Sequence, residues 1–168
     1  MTARALLLAF ALLALPAPGR AAELIESAPR PLAFAVQDRD GRNLGPTAIG
    51  GRLKLVHFWA SWCVSCRTEF PAIDALQRDL REKGITVAAV SLDRYGWWSI
   101  DKTVGELGIR DVTLLHDRDR EAAMASGGIG LPTTLVVDAE GREIARLPGP
   151  GDWSDPALRA RLVALATK

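Results

Sequence analysis

Cys63 and Cys66 are the only cysteines in the chain, and two residues separate them. They follow an apolar run, Leu53 to Trp59, and precede a segment of helical periodicity, which predicts a strand-to-helix turn at the cysteines. A thiol in the first turn of a helix lies beside unpaired backbone N–H groups and the positive end of the helix dipole, which favour the thiolate. The pair therefore indicates redox chemistry, with Cys63 as the attacking thiol and Cys66 as the resolving thiol.

Two other interpretations of the cysteine pair carry less weight. A structural disulfide that closes so short a loop stabilises a fold by only about 2 kcal/mol. A zinc site needs four ligands, and the two histidines, His57 and His116, do not have the spacing of a ligand pair. We therefore expect no metal site and no cofactor, and we favour a redox pair over metal transfer and over a structural disulfide.

The chain around the cysteines resembles the thioredoxin superfamily. The resemblance rests on Phe58-Trp59-Ala60-x-Trp62-Cys63-x-x-Cys66 and, downstream, on Gly130-Leu131-Pro132-Thr133-Thr134. It extends over roughly residues 31–168 and implies a thioredoxin fold in which a cis-proline, Pro132, faces the disulfide. The segments Cys66–Pro71 and Pro132–Gly141 are similar to the extracytoplasmic TlpA/ResA branch, which implies an added N-terminal β-hairpin.

The order of predicted elements is compatible with that fold. Strand, helix, strand, helix, strand, hairpin and helix follow one another, which implies an α/β class with a central mixed β-sheet and helices on both faces. The predicted hairpin has strands at Leu32–Gln37 and Arg42–Leu44, joined by the turn Asp38–Gly41.

The first residues have the pattern of an export signal. Residues 1–21 combine Arg4, the unbroken apolar run Ala5–Leu15 and a small-residue cleavage site, so we predict a signal peptide. An uncleaved anchor is the alternative, although the apolar run is short against the roughly 20 residues of a membrane span. We predict a linker over residues 22–31 and a thioredoxin-like domain over residues 32–168. Export would place the domain in the periplasm, an oxidising compartment.

Several residues near the cysteines are candidates for supporting roles. Trp62 and Trp59 are predicted to form an apolar collar around the thiols, and the backbone of Leu131 to pair with an extended client peptide. His57 stands where the resemblance implies a buried aspartate in thioredoxins. Its neutral imidazole could act as a general base for Cys66, or it could be a core histidine bonded to backbone. Glu69 is either close to the thiols or, as we favour, part of a solvated first helical turn.

Two further predictions concern residues beyond the cysteine motif. His116 follows a predicted strand and is expected at the surface. Trp97 and Trp98 are adjacent, and they could form a platform for clients. We favour the alternative that one of them packs beneath the following helix, because tryptophans are mostly buried.

The resemblance also implies a function. It predicts a periplasmic thiol–disulfide oxidoreductase that reduces client disulfides, of the kind used in maturation of cytochrome c or of oxidase copper sites. The implied electron donor is a membrane protein of the DsbD/CcdA type. Val64 and Ser65 bring no positive charge between the thiols, which favours a reductant over an oxidase or isomerase. A copper carrier binding Cu(I) through both thiolates ranks lower, as does a peroxidase.

Charge adds little about partners. The net charge is +1, so nothing indicates nucleic acid binding. A monomer is expected, working on proteins that carry disulfides.

Overall fold

The computed structural model describes residues 21–128 and 130–167, in which eight strands form one mixed sheet flanked by four helices. The strands are β1 (Ile25–Pro31), β2 (Val36–Gln37), β3 (Asn43–Leu44), β4 (Leu53–Trp59), β5 (Ile85–Ser91), β6 (Thr113–His116), β7 (Thr133–Val137) and β8 (Arg142–Pro148). The helices are α1 (Val64–Leu80), extended by the 3₁₀ turn Arg81–Lys83, α2 (Trp97–Leu107), α3 (Glu121–Ala125) and α4 (Pro156–Leu165).

The sheet places the strand before the cysteines at its centre. The spatial order is β1-β8-β7-β4-β5-β6-β2-β3. β5 is parallel to both β4 and β6, whereas β7 is antiparallel to both β4 and β8. The predicted mixed sheet is therefore confirmed.

Alternating residues of β4 face two separate apolar clusters. Leu55 and Trp59 contact a cluster that includes residues of α1, α2 and α4, whereas Val56 and Phe58 contact a cluster that includes α3. A strand covered on both faces must be apolar at nearly every position, as this one is. The prediction of helices on both faces is confirmed. Among the described helices, α1, α2 and α4 pack on one face, and the five-residue α3 is the only one on the other.

The predicted N-terminal hairpin is present, but its strands are short. Val36 pairs with Leu44 and Gln37 with Asn43, and β2 joins the sheet beside β6. The Asp38 side chain closes the turn by accepting hydrogen bonds from the backbone N–H groups at positions 40 and 42.

The predicted linker over residues 22–31 is wrong for most of its length, because residues 25–31 form β1. This strand pairs antiparallel with β8, although every one of its side chains is exposed. An edge strand needs only backbone pairing on one side, so it can tolerate prolines and lacks a hydrophobic alternation. Ion pairs fasten it further, from Arg30 to Glu143 at 2.5 Å and from Arg161 to Glu26.

The predicted leader covers residues 1–21 and lies almost wholly outside the described residues, so its cleavage or retention stays a prediction. Among residues 21–128 and 130–167, no helix has the length and apolar character needed to cross a membrane.

Asp74 connects α1 to the segment between α2 and β6. Its buried Oδ1 accepts hydrogen bonds from the backbone N–H groups of Arg110, Asp111 and Val112 at 3.1, 2.7 and 3.1 Å. Removing such an acceptor leaves three amides to find other partners, which costs free energy because hydrogen bonds to charged groups are among the stronger ones.

We expect Asp74→Ala to lower the free energy of unfolding by about 3 kcal/mol, and Asp74→Asn, which keeps an oxygen acceptor, by clearly less. Urea unfolding of the oxidised protein measures both. Asp79→Ala is a suitable control, because Asp79 is half-exposed and ion-paired with Arg159 at 2.9 Å, so its loss should cost less than about 1 kcal/mol. Equal costs for the three variants would contradict this role of Asp74.

Candidate active site

The two cysteines form a disulfide at the start of α1. The Cα atoms are 5.3 Å apart, and Cys63 is the N-cap residue of the helix. The Cys63 Sγ accepts a hydrogen bond from the backbone N–H of Cys66 at 3.2 Å, and the Ser65 hydroxyl lies 3.5 Å from the same sulfur. The sulfur that the sequence predicts to attack therefore lies at the positive end of the helix dipole.

The two sulfurs differ in their access to solvent. Cys66 is fully buried, whereas Cys63 is 7% exposed. Trp62 and Val64, on either side of Cys63, are 62% and 78% exposed. A partner can therefore reach the pair only at Cys63, across an apolar rim that includes the predicted collar residue Trp62. The prediction is wrong for Trp59, which is fully buried and packs against Phe70 in the core.

The peptide bond between Leu131 and Pro132 is cis, as the resemblance implies. In the ladder between β4 and β7, Thr133 pairs with Phe58. Pro132 therefore lies at the end of β4 from which the chain turns toward Cys63. Leu131 is half-buried and contacts the apolar cluster that contains both cysteines.

His57 is buried in β4, and its Nδ1 lies 2.9 Å from the hydroxyl of Thr134 on the neighbouring strand. The rings of Phe70 and Trp153 surround it, with centroids 6.1 and 6.3 Å away. Burial lowers the pKa of His57 to about 3. The imidazole is therefore neutral at ordinary pH, which is the form the sequence predicts.

Glu69 is buried, so the favoured interpretation of a solvated first helical turn is wrong for this residue. Its Oε2 accepts hydrogen bonds from the backbone N–H of Gly151 at 2.7 Å and from the indole N–H of Trp153 at 2.8 Å. Burial raises the pKa of Glu69 to about 7, against the lowering effect of these two hydrogen bonds. The neighbouring Arg67 is instead partly exposed and ion-paired with Glu106 at 3.0 Å.

His57 and Glu69 face each other inside the protein. His57 Nε2 and Glu69 Oε1 are 3.8 Å apart, too far for a hydrogen bond, and neither atom has a partner among the described residues. A protonated Glu69 can donate to Nε2 after a small movement, and an imidazole protonated at Nε2 can donate to the carboxylate. The pair can therefore hold one proton in two arrangements, one turn of α1 beyond Cys66.

Asp93 supports the turn that leads into Cys63, a role that the sequence analysis missed. Its carboxylate accepts hydrogen bonds from the backbone N–H of Ser61 at 3.0 Å and from the hydroxyls of Ser61 and Ser91 at 2.5 and 2.7 Å. His116 Nε2 lies 2.9 Å from the Asp93 carbonyl oxygen, which can only accept. His116 is buried, so its predicted surface position is wrong. An acidic residue just after a buried strand was the available signal for Asp93.

The sequence profile of the AhpC/TSA family matches residues 26–144. The chain belongs to the AhpC/TSA family. Its fold is the thioredoxin fold, and its sequence relatives include proteins of the predicted ResA kind.

Two curated relatives and one solved structure illustrate the similarity. The thiol:disulfide interchange protein HelX of Rhodobacter capsulatus is 36% identical over 104 residues, which are 60% of this chain and 54% of HelX. The thiol-disulfide oxidoreductase ResA of Bacillus subtilis is 24% identical over 116 residues, 69% of this chain and 64% of ResA. A thiol:disulfide interchange protein from Bacteroides sp. superposes with a TM-score of 0.67 at 26% identity, over 84% of this chain and 91% of that one. The chain therefore spans between about half and two thirds of the length of these two curated relatives.

Glu69 should make stability depend on pH. Its folded pKa of about 7 exceeds the ordinary 4.5, so between these values the folded protein holds a proton that the unfolded chain releases. By linkage, the free energy of unfolding falls as pH rises through this window. Glu69→Gln removes this titration. From the low-pH to the high-pH end of the window, we therefore expect the free energy of unfolding of the wild type to fall by about 3 kcal/mol relative to that of the variant.

Denaturant unfolding of both oxidised proteins across this pH range provides the measurement. The lowered pKa of His57 gives the opposite slope between about pH 3 and pH 6.5, but it does so in both proteins, so their difference isolates Glu69. A difference that stays constant with pH would contradict a buried, proton-holding Glu69.

Proposed function

We propose that the protein is a thiol–disulfide oxidoreductase that reduces disulfides of client proteins outside the cytoplasmic membrane. The observation that carries this proposal is the arrangement of one accessible and one buried sulfur at the start of α1, with a cis-proline at the end of the strand that leads to Cys63. The accessible sulfur can meet a client, and the buried one can react only with its neighbour. The names of the relatives, thiol:disulfide interchange protein and thiol-disulfide oxidoreductase, support the same reaction class.

The reaction begins with the reduced protein. The Cys63 thiolate attacks one sulfur of the client disulfide, forms a mixed disulfide and expels the other client sulfur as a thiolate, which takes up a proton. The Cys66 thiolate then attacks Cys63 Sγ, which re-forms the Cys63–Cys66 disulfide and releases the second client thiol. Two electrons pass from the dithiol to the client, and the two protons of the dithiol balance those that the client gains.

Cys66 needs a proton acceptor, because only a thiolate can attack and this sulfur has no access to water. Glu69 lies three residues later, on the same face of α1, and its pKa of about 7 suits a base that works near neutral pH. His57, with a pKa of about 3, is a weaker base. We assign Glu69 the proton of Cys66 and His57 the positioning of the Glu69 carboxyl group.

The same surroundings favour a reductant. DsbA is a strong oxidant because the protein stabilises its reduced, dithiol form. Here no positive charge stands between the cysteines, and an ionised Glu69 one helical turn from Cys66 would disfavour a second negative charge on that sulfur. Both effects destabilise the thiolate form and so favour donation of electrons.

The partners follow from the resemblance. The clients we propose are apocytochrome c or the copper-site cysteines of an oxidase assembly protein, and the electron donor a membrane protein of the DsbD/CcdA type. Residues 1–21 would direct the chain to the periplasm, where it would act as a monomer. The backbone of Leu131, beside Pro132, would pair with the client chain during attack.

The reduction potential tests the direction of electron flow. We expect a value near that of thioredoxin, about −270 mV, and far from that of DsbA, about −120 mV. Equilibration with glutathione and dithiothreitol buffers measures it. A value close to that of DsbA would contradict the reductase and indicate an oxidase of exported proteins.

Single cysteine variants test the roles of the two sulfurs. We expect Cys66→Ser to accumulate a stable mixed disulfide between Cys63 and a disulfide-bearing client, because no second thiol can release it. Cys63→Ser should form none, since the remaining sulfur is buried. Thr68→Ala, a change at an exposed position of the same helix, should turn over like the wild type. Non-reducing electrophoresis with mass spectrometry distinguishes these outcomes, and trapping through Cys66 alone would reverse the assignment.

A further inference from the structure

A groove of about 390 Å³ lies beside the active-site turn, between the ends of β4 and β5 and the first turns of α2. We call it the Trp62 groove; its walls include Trp62, Arg67, Arg94, Tyr95, Trp98 and Lys102. Trp62 directly precedes the attacking Cys63. An extended chain advances about 3.3 Å per residue, so residues of a client within a few positions of its cysteine can reach this groove.

Three aromatic side chains of the groove are open to solvent. Trp62, Tyr95 and Trp98 are 62%, 82% and 68% exposed, and the rings of Tyr95 and Trp98 meet edge to face with centroids 6.5 Å apart. Trp97, by contrast, is half-buried and packs against the apolar core, with its ring 6.3 Å from that of His116. One of the two tryptophans therefore packs inward, but Trp97 is the first residue of α2 and does not lie beneath the following helix as predicted. Clustered exposed aromatics are typical of surfaces that bind another molecule.

The accessible charge of the groove is positive. The guanidinium of Arg67 is paired with Glu106 at 3.0 Å, and Asp93 is buried and bonded to serines, so neither acid offers a free carboxylate. Arg94 and Lys102 form no ion pair with any residue in the described ranges 21–128 and 130–167. The Lys102 ammonium instead lies 5.6 Å from the centre of the Trp98 ring.

We propose that the Trp62 groove binds an extended client segment that carries carboxylates and an aromatic side chain next to the cysteine under attack. Unpaired cations attract the carboxylates, and the exposed rings supply the apolar contact that charge alone lacks. This inference rests on the proposed function and adds to it a selection among clients.

Short peptides test the selection. Each peptide carries one cysteine joined by a disulfide to thionitrobenzoate, flanked on both sides by two glutamates and a phenylalanine. Matched peptides replace the glutamates by glutamine or lysine, or the phenylalanine by alanine. The reduced protein delivers two electrons and releases thionitrobenzoate, whose absorbance gives the rate. We expect the glutamate peptide to react about fivefold faster than the lysine peptide at low salt, with the ratio shrinking as salt is added.

Two variants of identical charge change locate the effect. In Lys102→Glu the ratio of glutamate to lysine peptide rates should fall to about one or below. In Lys83→Glu, at the opposite end of β5 and exposed, the ratio should match the wild type. Trp98→Ala should remove the preference for phenylalanine over alanine. Ratios within one variant cancel any general change in thiol reactivity.

The outcomes distinguish a failure of the groove proposal from a failure of the proposed oxidoreductase function. Equal rates for all peptides in the wild type, or equal effects of the Lys102 and Lys83 variants, would overturn the groove while leaving the oxidoreductase intact. A reduced wild type that releases thionitrobenzoate from none of the peptides would overturn the proposed function as well.

Discussion

The complete burial of β4 determines where everything in the candidate site lies. Its seven residues are enclosed by β5 on one side, β7 on the other and an apolar cluster on each face. Its neighbours hold β4 in a fixed register. The position of its last residue, Trp59, therefore determines where the turn to Cys63 begins. The same register brings Pro132 to that end of the strand and sets His57 against Thr134.

Burial also explains the unusual pair behind the disulfide. A polar atom without a partner inside a protein costs free energy of about 1–3 kcal/mol, and both His57 Nε2 and Glu69 Oε1 are in that condition. The rest of Glu69 is well satisfied, since Gly151 and Trp153 hold its other oxygen. Two hydrogen bonds thus hold the Glu69 carboxyl group while its second oxygen stays open, which is compatible with the proton-accepting role that we propose for it.

Sequence reasoning reached the features that depend on local spacing. The turn at Cys63 and Cys66 and the N-terminal hairpin follow from motifs within a few residues of one another, whereas the cis bond at Pro132 came only from the family resemblance. It failed where contacts join distant parts of the chain. Glu69 looked solvated because the residues that bury it come more than 80 positions later, and β1 looked like a linker because an edge strand needs no apolar pattern.

The contact between Arg67 of α1 and the side chains of Thr103 and Glu106 in α2 has a further consequence. The helix that carries the attacking sulfur and the helix that carries Trp98 are bonded to each other, and Asp74 fixes the chain just beyond α2 to the same α1. These contacts join the helix of the sulfur to the helix of the groove, so the structure sets one separation between the two. Clients would be sorted by how many residues separate their cysteine from their acidic side chain, so two clients of identical composition but different spacing would be treated differently.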